Sequence, residues 1–71
     1  MRITIEIDFD ALHGDTAADK LADAEARLRD AITPIYADPS KIAPHHAFPV
    51  RNRDGARVGW IMFESDVMGA E

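Results

Sequence analysis

Three histidines, His13, His45 and His46, share the chain with two aspartates at alternate positions, Asp8 and Asp10. Imidazole and carboxylate are ligand types that a transition metal ion takes. The spacing matches no ligand motif, however, and adjacent residues such as His45 and His46 point in opposite directions on an extended chain. They read as surface or loop histidines, and no metal or other cofactor is expected. Arg51, Arg53 and Arg57 flank Asp54-Gly55, where they would meet phosphates or carboxylates, or simply solubilise a turn. Glu6, Asp8, Asp10, Asp15, Asp19 and Asp23 form an acidic series. Such a series either imitates a phosphate backbone towards a nucleic-acid-binding protein or makes a solvated face that discourages sheet-to-sheet aggregation. There is no serine or cysteine nucleophile beside a base, no glycine-rich phosphate loop and no carboxylate pair in a recognisable setting, so no catalytic residue is expected.

The elements that must position these side chains fit one domain spanning residues 1–71. A chain of this length buries only about 60% of its unfolded surface. Without cysteine it has no disulfide or thiolate staple, and oligomerisation is a common remedy for so small a core. The net charge of −5 argues against direct nucleic-acid binding, which favours a basic surface. Acids outnumber bases nine to four over residues 1–40 and balance them four to four thereafter. Arg2 is followed by alternation instead of the apolar run of a secretory signal, and the longest apolar run, Trp60–Phe63, is far too short to cross a membrane. A cytoplasmic location with no membrane partner is the expectation.

"MRITIEIDFD" alternates without fault, predicting a strand over 2–9 with Ile3, Ile5, Ile7 and Phe9 on one face. Gly14 breaks it, Asp15 or Thr16 is placed to cap a helix, and apolar residues then recur from Ala17 through Leu21, Ala24, Leu28 and Ala31. Asp23 with Arg27 and Glu25 with Arg29 are helix-stabilising i, i+4 pairs. Pro34 disfavours helical geometry at Thr33, so the predicted helix covers 16–32. A packed loop over 34–46 follows, with a single turn after Asp38-Pro39. A β-hairpin over 47–63 turns at Asp54-Gly55, which pairs Arg53 with Ala56, Asn52 with Arg57, Val50 with Gly59 and Phe48 with Ile61. Residues 64–71 form a tail. The predicted fold is a small α+β domain of β-α-β-β order, a three-stranded antiparallel sheet in the order 2-3-1 with one helix on one face. Its core is Ile3, Ile5, Ile7, Phe9, Phe48, Val50, Ile61 and Phe63.

The last strand raises the functional question, because it is apolar on both sides. Val58, Trp60 and Met62 are expected on the face away from the helix, flanked by Thr4 and Glu6 on one side and Pro49 and Arg51 on the other. Three covers are open: the chain's own loop or tail, a second copy in a homodimer, or another protein. Trp, Met and Arg are residue types enriched at interfaces, so Val58, Trp60, Met62, Arg51 and Glu6 are the candidate interface residues.

The order of strand, helix, "DPSKI" turn, strand and hairpin resembles the layout of the small oligomeric tautomerases. That resemblance implies an oligomeric enzyme whose catalytic base is an amino-terminal proline; here Met1 and Arg2 occupy that end. Layout alone is shared, and no residue role carries over. The expected function is a non-enzymatic protein-interaction module, self-associating or acting as a phage or mobile-element protein that modulates a host protein. A tautomerase-like enzyme and an acidic nucleic-acid mimic are the alternatives.

Overall fold

The computed structural model describes residues 1–65. Its elements are β1 (Arg2–Ile7), a 3₁₀ turn (Phe9–Ala11), α1 (Ala17–Ala37), a second 3₁₀ turn (Pro39–Lys41), β2 (His46–Arg51) and β3 (Arg57–Glu64). The sheet is antiparallel, ordered β1-β3-β2. One helix therefore packs on a three-stranded sheet with the most apolar strand in the centre, as the sequence predicts. The expected tail beyond residue 65, with Val67 and Met68, lies outside the described residues.

β1 ends two residues earlier than its alternation suggests. The Asp8 carboxylate accepts from the Asp10 amide at 3.1 Å and caps the 3₁₀ turn. Phe9 is thereby turned out of the sheet and left exposed, with Lys20 Nζ 5.7 Å from its ring centre. Leu12 enters the core instead. α1 starts as expected, with Thr16 Oγ1 accepting from the Asp19 amide at 3.1 Å. It runs five residues past the predicted end, through Pro34. Proline forfeits its own hydrogen bond there and crowds the carbonyl of Asp30, but Ile35, one residue on, is buried in the core and anchors the extra turn. The chain then turns at Ala43–His46, where the His46 amide donates to Ala43 O and His45 takes φ 70° after Pro44. Proline followed by a positive φ is the pattern of a type II turn.

The hairpin corrects its predicted turn. Three residues, Arg53–Gly55, form the loop. The Asn52 amide donates to Ala56 O at 2.8 Å, the Gly55 amide donates to Asn52 O, and Gly55 has φ 86°. This is the three-residue loop with glycine in the left-handed region. Asn52 Oδ1 tightens it by accepting from the amides of Asp54 and Ala56. Arg51 therefore faces Arg57, where Asn52 was expected. Farther from the turn, Val50 faces Gly59 and Phe48 faces Ile61, as predicted. A bulge at Val58 absorbs the difference of one residue.

That bulge moves Val58 from the open face into the core. The buried apolar residues are Leu12, Ile35, Val50, Val58, Ile61 and Phe63, with Ile7, Ala11, Ala24, Leu28, Ala31 and Phe48 packed around them. Phe48 and Phe63 meet edge to face at 5.9 Å. Ile3 and Ile5, expected beneath the helix, are instead exposed, because α1 packs chiefly over β2 and, of the β1 isoleucines, Ile7 alone is packed against the core.

Gly59 lies opposite Ile7, with the backbone of β1 close against it. A Cβ there would collide with Glu6 O and sit 2.9 Å from Ile7 Cα. Gly59→Ala is expected to destabilise the domain by about 1–3 kcal/mol or more, since backbone and not a flexible side chain must give way. Urea denaturation checks this; a loss within experimental error would contradict the close approach.

Candidate functional site

The displaced helix leaves an apolar groove of about 280 Å³ between α1 and β1. Ile3 and Ile5 form its floor beside Ile61 and Phe63, and Ile32, Tyr36 and Ile42 line its wall. Its lining is almost wholly apolar. Ile3 is 58% exposed, Ile5 45% and Tyr36 84%. The exposed parts of Ile3, Ile5, Ile32 and Ile42 amount to nearly two isoleucine side chains, about 3–5 kcal/mol of unrealised burial per molecule. Farther along the same side, Ile7, Leu21, Ala24 and Leu28 border a second apolar hollow. One hydrophobic seam thus follows β1 along the helix.

The sequence placed its candidate interface on the opposite face, and the structure divides those residues. Trp60 and Met62 are half-buried there, with Glu6 and Pro49 opposite Trp60 in the two ladders. The Arg57 guanidinium lies 4.7 Å from the centre of the indole ring and covers part of it. Arg51 donates to Gly55 O at 3.0 Å and so belongs to the hairpin tip. Val58 is in the core. This face is more polar and better covered than the groove.

The chemistry-bearing residues separate as well. His13 Nε2 lies 3.6 Å from Asp54 Oδ2, whereas His46 Nδ1 is 2.6 Å from Lys41 O in the turn before β2. Among the described residues, no group of three or more His, Cys, Asp or Glu is arranged to hold a metal ion. Asp38 Oδ1 accepts from Ser40 Oγ at 2.6 Å, and this bond holds the exposed carboxyl below the usual aspartate range.

Asp23 is the polar residue whose role the sequence hid. Its side chain is 2% exposed and accepts from the His13 amide at 3.0 Å. Its Oδ1 lies 3.5 Å from Arg27 Nε and 3.6 Å from Arg53 Nε, in ion-pair contact without hydrogen-bond geometry. The i, i+4 pairing with Arg27 was legible. The contacts to His13 and Arg53 join the helix to the segment before it and to the hairpin tip. No family model, curated protein or solved structure matches the chain.

Asp23→Ala would leave the mostly buried Arg27 guanidinium with Asp30 alone, 3.2 Å away, and orphan the His13 amide. A loss of about 2–4 kcal/mol is expected, against less than about 1 kcal/mol for Arg53→Ala, whose side chain is largely in water. Denaturation midpoints of the two variants check this ordering, and equal effects would contradict it.

Proposed function

We propose that this chain is a protein-binding module whose working surface is the groove between β1 and α1, together with the outer edge of β1. One observation carries the reading: Ile3 and Ile5 stand in mid-strand, on the helix side of the sheet, yet about half of each is open to water. A contiguous apolar patch of this kind marks an interaction site far more often than isolated surface hydrophobes do. An edge strand beside a hydrophobic groove also suits strand addition, in which main-chain hydrogen bonds give affinity and pockets for alternate side chains give specificity.

The reading is non-catalytic. The groove brings isoleucine, phenylalanine, tyrosine and proline together and holds no titratable carboxylate, imidazole or amine among its lining residues. The tautomerase-like layout would need a base in such a hollow. The acidic residues do not converge on one face either: Asp8 caps a turn, Asp19 lies in the first turn of the helix and Asp23 is buried.

Peptide display against the wild-type chain, with an Ile5→Lys chain as the counter-target, tests the proposal. Expected are extended apolar binders that shift the amide resonances of Ile3, Ile5 and Ile42. Their affinity should fall about tenfold or more on Ile5→Lys, the equivalent of losing one buried isoleucine. Binders that shift only Trp60 and Met62 would move the working surface to the other face of the sheet and overturn the proposal.

A further inference from the structure

Resting on the reading of the groove and its edge as the working surface, we infer that the partner is a second copy of this chain. The two β1 strands pair antiparallel about a two-fold axis at Thr4, with Arg2 of each facing Glu6 of the other. The backbone supplies the first half of the argument. The Asp8 amide donates to Val58 O at 2.8 Å, and this pair continues the register of Ile7 with Gly59. In an antiparallel ladder, alternate residues send both N–H and C=O to the same neighbour. Arg2, Thr4 and Glu6 therefore bond inward to β3, and the N–H and C=O groups of Ile3, Ile5 and Ile7 point to the open side.

An antiparallel partner on that side must match outward residues with outward residues. The register centred on Thr4 does so by pairing Ile3 with Ile5 of the other copy in both directions. The same register puts Thr4 opposite Thr4 and Arg2 opposite Glu6, twice by symmetry. These are non-hydrogen-bonded pairs, where side chains stand closest and opposite charges attract. Shifting the axis to Ile5 would instead put Glu6 opposite Thr4 and Arg2 opposite Asp8, which already caps the turn beyond the strand. The strand "RITIEI" is thus complementary to its own reverse in charge, apolarity and hydrogen bonding together. It also carries no proline, lysine or bulge to blunt its edge. A two-fold axis perpendicular to the sheet keeps both helices on one side, so Ile3 and Ile5 of both copies form one layer between them.

Sedimentation equilibrium on the full chain across concentration, with charge-reversed variants, tests this arrangement. Arg2→Glu and Glu6→Arg are each expected to weaken the dimer about tenfold, because each places two like-charge pairs across the axis. The double variant Arg2→Glu/Glu6→Arg is expected to recover most of that loss, short of wild type because reversal at position 2 also sets a carboxylate beside Glu64 of the same chain, now 3.9 Å from Arg2. In this cysteine-free chain, Thr4→Cys is expected to cross-link to itself on mild oxidation and Ile5→Cys much less. A dimer indifferent to both charge reversals, or Ile5→Cys cross-linking in preference to Thr4→Cys, would overturn the register. A wild-type chain that stays monomeric at the highest concentrations would overturn the inference. So would a monomer whose residues 66–71 show nuclear Overhauser contacts to Ile3 and Ile5. In either monomeric case, display-selected peptides that still shift Ile3, Ile5 and Ile42 would leave the groove as the working surface.

Discussion

A single α-helix cannot cover three strands. With its side chains a helix is about 10–12 Å across, and strands lie about 4.8 Å apart, so one helix shelters roughly two of them. In this chain the sheltered pair is β2 and β3, and the third strand bears the consequence. Ile3 and Ile5 have the side-chain types and alternation of core residues but the exposure of surface ones. The small core and the open groove both come from that one shortage of covering surface.

A buried polar residue ties the helix to its surroundings. Asp23, on the helix, holds the His13 amide before it and faces the Arg53 guanidinium at the hairpin tip. Those contacts join the first half of α1 to the segment before it and to the β2–β3 turn. Ile35 does the corresponding work at the other end by sinking into the core after Pro34. A buried carboxylate is costly unless charges and donors surround it. Here two guanidiniums and a backbone amide do so, and in return the helix is fixed in lateral position.

The central strand is similarly constrained. Gly59 admits the backbone of β1 at a separation that no Cβ would permit. The neighbouring bulge turns Val58 inward, so the apolar side chains left on the far face are Trp60 and Met62, the former roofed in part by Arg57. The feature that first suggests an interface in this sequence, a strand greasy on both sides, is thus partly resolved within the chain. The unsatisfied surface lies around β1 instead.

Element order, sheet order, the helix cap and the pairing of Val50 with Gly59 were all legible in the sequence. Each follows from local rules: side-chain periodicity, capping chemistry, and the fact that only the last strand is antiparallel to both others. The turn length, the bulge, the helix's run through Pro34 and the burial of Asp23 were not. The turn length is set locally by Asn52, whose side chain accepts from the amides of Asp54 and Ala56; the others are settled by contacts between residues distant along the chain, where the gain from packing outweighs a local preference. Alternation showed that Ile3 and Ile5 share a face, but whether that face is covered depends on where the helix comes to rest. Only the folded molecule fixes that, because a stripe of apolar residues marks what needs cover and says nothing of what arrives to provide it.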